Sequence, residues 1–131
     1  MMSEELPPAQ QRGWIRRFAD AVRGVQVAMP GEASFLVHFL VATLVIIAGA
    51  VLAVSAMRWC LLVICITVVL TAEMFNTAIE RLARAVTRDQ HPEIRDALDI
   101  ASAAVLVAAI GAAVVGLIVL GGPLLAWLAS R

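Results

Sequence analysis

Apolar residues fall along this chain in three long blocks and one shorter periodic stretch. Phe39 to Met57 carries no charge over 19 residues, Trp59 to Ile79 carries only Glu73 over 21, and Ile100 to Leu120 carries none over 21. A bilayer core of ~30 Å takes about 20 helical residues to cross. The blocks therefore predict three transmembrane helices, over about 35–57, 59–80 and 99–120. Ahead of them, Trp14, Phe18, Val22, Val25 and Met29 recur at spacings of three and four, while Arg16, Arg17, Asp20 and Arg23 take the other face. That alternation predicts an amphipathic helix over 14–29, lying in the membrane interface or packed on other protein. Residues 1–13, with Pro7, Pro8 and a Gln-rich flank, predict disorder, and 14–131 read as a single domain.

Punctuation between the blocks predicts how the chain turns. Pro30 and Gly31 break the surface helix and redirect the chain into the first span, with Glu32 at the corner. Pro92 after His91 predicts a helix resuming near Glu93, with proline at an early position where its missing N–H matters little. Gly121, Gly122 and Pro123 predict the end of the third span, leaving Leu124 to Leu128, with Trp127, as an interfacial tail. Within that span Ala104, Ala108, Ala112 and Gly116 follow a four-residue spacing, which predicts close approach of a helix from this chain or from another copy.

Composition settles the class. Of 131 residues, 62% are hydrophobic and the mean hydropathy is +0.92, beyond the range of a soluble domain. The expected fold class is all-α integral membrane, with an N-terminal surface helix and three spans. The first block starts too far into the chain, and has the wrong flanks, for a cleaved signal peptide. Net charge is zero and no nucleic-acid partner is expected. Charge placement is more telling: Arg12, Arg16, Arg17 and Arg23 precede the first span, Arg81, Arg84, Arg88 and Arg95 separate the second from the third, and only Arg58 separates the first from the second. By the positive-inside tendency, the N-terminus and the 81–98 loop face the cytoplasm and the C-terminus faces outward. Cys60 and Cys65 are about 140° apart on one helix, cannot bridge each other, and read as small packing residues.

Glu73 is the exception inside this apolar pattern. From Trp59 to Ala72 there are 14 uncharged residues, too few to span, so the helix continues through Glu73 and buries a carboxyl group. Glu73, Asn76 and Glu80 fall at i, i+3 and i+7, on one helical face. The predicted topology brings Glu32, at the start of the first span, and Asp99, at the start of the third, to the same membrane boundary. Four carboxylates and Asn76 then converge there, with Arg81, Arg84 and Arg95 close by. Clustered acids in partly dry surroundings call for protonation or a divalent cation, and magnesium, which takes one or two carboxylates plus polyphosphate oxygens, fits best. A further carboxylate can accept a hydroxyl proton in phosphoryl transfer. The residues thus read as an interfacial phosphotransferase acting on an amphiphile. Taken singly they allow other roles: Glu80 a snorkelling acid, Glu73 a proton-coupled transport site, Asn76 an interhelical hydrogen bond, His38 a polar contact.

The run Glu73, Met74, Phe75, Asn76, Thr77, Ala78, Ile79, Glu80 resembles the E-x-x-N-(S/T)-A-I-E signature of the small prokaryotic diacylglycerol kinase and undecaprenol kinase family. Other pieces follow in the family's order: Phe18, Ala21 and Gly24 in the surface helix; Glu32, Ala33, Ser34, Phe35 and His38 leading into the first span; Asp99 to Val105 opening the third. The resemblance covers nearly all of the chain beyond residue 14. It implies a homotrimeric membrane lipid kinase that transfers the γ-phosphate of Mg-ATP to a lipid hydroxyl at the cytoplasmic face of the bacterial inner membrane. Diacylglycerol is the first expected acceptor and undecaprenol the second. A weak or inactive family member and a small proton-coupled transport protein are the rival readings.

By the same resemblance Glu73 is the general base, Glu32 and Glu80 are metal ligands at the nucleotide site, Asn76 orients nucleotide or base, and Asp99 supports the site. One position departs from the family pattern, which has lysine before the aspartate where this chain has Leu98. All ten basic residues are arginine, so no lysine replaces it. Arg95, one turn before Asp99, is the expected nucleotide-binding substitute, with Arg81 and Arg84 as further sources of charge. Leu36 stands where family members often have arginine, and His38 is more similar to the undecaprenol kinase branch.

Overall fold

The computed structural model describes residues 13–28, 33–86 and 91–131, and over these the chain is helical apart from its turns. Four helices follow one another: α1 Trp14–Ala28, α2 Ala33–Val51, α3 Ala56–Val86 and α4 Pro92–Ala129. The last three are long and apolar enough to cross a membrane. At ~1.5 Å per residue α3 is roughly 46 Å long and α4 roughly 57 Å, so both reach beyond a ~30 Å hydrocarbon core. Leu40, Ile64 and Leu117 are among many large apolar side chains left exposed. That is the expected state where lipid or a neighbouring helix, rather than water, is the solvent. The expected disorder of residues 1–13 falls outside the described residues except for Gly13, as do Met29, the break at Pro30 and Gly31, and Glu32.

α3 is the central element, with α4 packed along it and α2 against it. Its buried residues are Leu62, Val69, Glu73, Asn76 and Thr77, a stripe on one face. One end of the stripe is apolar: Leu62, Val54 and Val119 form a core with Val45, Leu52, Trp59, Val115 and Leu120 around them. The other end is polar, because Glu73, Asn76 and Thr77 are all buried.

The first span ends earlier than its apolar block implies. α2 stops at Val51, the turn occupies 52–55, and Arg58 lies inside α3. Val54 N–H donates to Gly49 O and Ala53 N–H to Ala50 O, both at 3.1 Å. With Ala53 left-handed at φ 48°, this is a Schellman termination that has alanine where glycine is usual. Gly49 serves the same turn differently, since a Cβ there would meet Trp59 Cη2 at 3.0 Å. The indole fills the space a side chain would take.

Gly121, Gly122 and Pro123 do not end the third span. α4 runs through Pro123 to Ala129, so residues 124–128 are helix and not a separate tail. Proline withholds one N–H from the carbonyl of Val119, but leaving the helix would free several backbone groups in apolar surroundings, which is worse. At the other end the predicted restart holds: His91 is an extended N-cap and Pro92 opens α4. The helices also extend into the predicted 81–98 loop, from both sides. Within one copy of the chain no described helix closes on the small-residue ladder at Gly116, where an added Cβ would meet nothing within 4 Å.

Candidate active site

Glu73 lies 17 residues beyond the start of α3, roughly 26 Å along the helix axis and so near the far boundary of a ~30 Å core. It is 1% exposed. Both of its oxygens face α2. The Ser34 hydroxyl donates to Oε1, and His38 Nε2 is 3.7 Å from Oε2. Ser34 and His38 are four residues apart, which puts both on the side of α2 that faces α3.

Asn76 connects this buried level to the helix ends. Its Nδ2 donates to Glu80 Oε1 at 2.9 Å, and its Oδ1 accepts a long bond of 3.5 Å from the Ser102 hydroxyl of α4. Arg84 Nη1 is 3.7 Å from Glu80 Oε2, one turn further along. Glu80 is therefore held between a neutral donor and a cation, with its side chain 28% exposed.

Beyond Glu80 a polar cleft of about 890 Å³ opens between the end of α3 and the start of α4, lined among others by Glu80, Arg84, His91, Arg95, Asp96 and Asp99. Leu98 lines it too. Of the residues singled out from sequence, Glu80, Arg95 and Asp99 thus share one cleft, whereas Glu73 and Asn76 lie behind it. A second, mainly apolar cavity of about 510 Å³ runs between α2, α3 and α4, with His38 and Cys65 in its lining. Neither cysteine is bridged.

Three residues took on roles that sequence reasoning did not assign. Ser34 and Ser102 fall inside family-like segments but had no predicted partner. Arg81 donates from Nη2 to the carbonyl of Val27 at 2.6 Å and so ties the last turn of α1 to α3. A four-residue spacing between Ser34 and His38 was the available signal for α2; nothing local pointed to Val27.

A sequence model of the prokaryotic diacylglycerol kinase family matches residues 19–120. The chain belongs to this family. Relatives of this prokaryotic diacylglycerol kinase family member include an undecaprenol kinase of Bacillus subtilis, 30% identical over 106 residues covering 81% of this chain and 86% of that protein. A diacylglycerol kinase of Synechocystis sp. is 34% identical over 125 residues, 90% of this chain and 71% of that protein. Family membership makes the chain a relative of lipid kinases and makes ATP the co-substrate.

Proposed function

We propose that residues 14–131 form a single lipid-kinase domain that transfers the γ-phosphate of ATP to the hydroxyl of diacylglycerol, giving phosphatidic acid. The reaction takes place at the cytoplasmic face of the inner membrane, with the N-terminus inside, α1 lying in the interface and the chain assembled as a homotrimer. The observation that carries this reading is Glu73, a fully buried carboxyl group about two turns of α3 behind the polar cleft that Glu80 lines. A transport site would favour a midplane acid facing an access path. Here Glu73, Glu80 and Asp99 gather towards one end.

Glu73 takes the proton of the lipid hydroxyl as that oxygen attacks the γ-phosphorus and the bond to the β–γ bridging oxygen breaks. Arg95 and Arg84 offer cationic donors for phosphate oxygens, and bidentate geometry suits arginine to that task. Asn76 orients Glu80 towards the cleft. Among the described residues no three His, Cys, Asp or Glu side chains form a metal cage. Magnesium needs none, since one or two carboxylates with phosphate oxygens and water suffice, and the partly exposed Glu80 at the cleft fits that donor set. Glu80, with Glu32, would hold the ion, which would neutralise phosphate charge.

Undecaprenol is the second reading, favoured by His38 and by the match to 86% of the Bacillus subtilis undecaprenol kinase. The test is phosphate transfer from labelled Mg-ATP by purified protein in mixed micelles containing either lipid, beside Glu73→Gln. Transfer to diacylglycerol that is lost in the variant supports the first reading, and transfer to undecaprenol alone moves the assignment to the second. Background transfer to both lipids by wild type leaves an inactive member of the family.

A further inference from the structure

Glu73 is asymmetric in its surroundings. Oε1 is occupied by the Ser34 hydroxyl, while Oε2 and His38 Nε2 face each other at 3.7 Å. That separation is too long for a direct hydrogen bond. It is the right width for a shared one: an oxygen set off the line between the two atoms can lie about 2.8 Å from each. Neither cavity described above is lined by Glu73 or Ser34, and of the three residues only His38 borders one, the apolar cavity. Its side chain is 20% exposed and that of Glu73 2%, so a polar group arriving beside an apolar tail meets the imidazole first.

We infer that His38 is a further catalytic residue, which holds the acceptor hydroxyl of the lipid against Glu73, and that Ser34 is a positioning residue that fixes which carboxylate oxygen serves as base. The inference rests on the reading of Glu73 as general base. In the arrangement, the imidazole Nε2–H donates to the hydroxyl oxygen, and the hydroxyl donates to Oε2. A lone pair of the hydroxyl oxygen forms the bond to the γ-phosphorus, the proton moves to Oε2 and leaves the O–H pair on that oxygen, and the bond to the β–γ bridging oxygen breaks with its electron pair leaving on ADP. Ser34 keeps Oε1 out of the exchange, so the carboxylate cannot rotate away from the substrate. Both residues come from one turn of α2, and the base comes from α3, so the pairing of these two helices sets the acceptor site.

The test compares wild type, His38→Ala, His38→Gln, Ser34→Ala and Glu73→Gln in the mixed-micelle assay with diacylglycerol and with undecaprenol. Gln is the informative replacement because its carboxamide N–H can occupy the place of Nε2–H. Misplacing a reacting group typically lowers the rate on the order of 10²-fold. The expected pattern is a kcat loss of that order in His38→Ala with a raised KM for the lipid, an unchanged KM for ATP, and recovery to within roughly 10-fold of wild type in His38→Gln. Ser34→Ala should lower kcat without moving either KM. Wild-type kinetics in His38→Ala beside an inactive Glu73→Gln overturn the inference and leave the proposed function standing. Equal damage in His38→Ala and His38→Gln, with the KM for ATP raised in both, also overturns it, because that is the signature of a disturbed fold. Retained activity in Glu73→Gln removes the base itself, and the inference falls with it.

Discussion

Asn76 donates to Glu80 across one turn of α3, Nδ2 to Oε1 at 2.9 Å. The bond occupies one oxygen of Glu80 and leaves Oε2 near Arg84 at the cleft. Asn76 is itself buried and bonded from α4 by Ser102, so it is the joint through which the buried acid level and the cleft keep a fixed relation. Replacing it with aspartate puts a second carboxylate one turn from Glu80, where like charges repel, and asks the interior to accept a charge that only the long bond from Ser102 would meet. Asn76→Asp is expected to lower kcat/KM for ATP on the order of 10²-fold or more. Asn76→Gln should be milder, because it keeps the donor. Steady-state kinetics at saturating lipid would check both.

The bond from Arg81 to Val27 predicts a local rather than a global effect. A charged donor at the carbonyl end of a helix stabilises that end by about 1 kcal/mol. Among the described residues Arg81 Nε is buried and meets no acceptor, so the bond from Nη2 to Val27 is the contact that truncation removes there. Arg81→Ala should raise amide hydrogen exchange across α1 on the order of 5-fold while leaving α3 unchanged. Uniform exchange changes along α3 would contradict the assignment.

Legibility in the sequence followed the range of the cause. The three spans could be read directly, because a helix in hydrocarbon must satisfy every backbone group itself and so shows as an unbroken apolar block. The same rule explains the failure at Pro123, a stop signal in water that α4 passes through. The early end of α2 was hidden because Leu52, Ala53 and Val54 carry no turn chemistry; the left-handed Ala53 is imposed by the hairpin. Glu73, Asn76 and Glu80 could be placed on one face because a single helix fixes their spacing. Their partners Ser34 and Ser102 depend on how α2 and α4 register against α3, and a single chain's local pattern does not encode that register.

Ala53 offers a stabilising change. An L-residue in the left-handed region costs roughly 1–2 kcal/mol relative to a right-handed conformation, and glycine escapes most of that cost. The Schellman bonds of Val54 and Ala53 use backbone atoms only, so Ala53→Gly keeps them. The expected gain is about 1 kcal/mol, reduced by the greater freedom glycine gives the unfolded chain. Denaturant unfolding in detergent should show a higher midpoint. An unchanged or lower midpoint would mean that the alanine methyl group has packing of equal value.

The cleft gives the clearest test of how this chain manages without the family lysine. Leu98 lines it beside Asp99, and Arg95 lines it one turn earlier on the same helix. If Arg95 meets the nucleotide phosphates, Arg95→Ala removes a charge-assisted contact of about 1.5–3 kcal/mol. The KM for ATP should then rise roughly 10- to 100-fold, with the KM for lipid unmoved. Adding Leu98→Lys to Arg95→Ala should restore much of the loss, since a lysine there regains a cation on the cleft wall, although as a point charge without the bidentate fork. An unchanged KM in Arg95→Ala would take Arg95 out of the nucleotide site. Arg84 would then be the next arginine to test; it also faces Glu80 at 3.7 Å, so its loss should alter magnesium dependence as well as the KM for ATP.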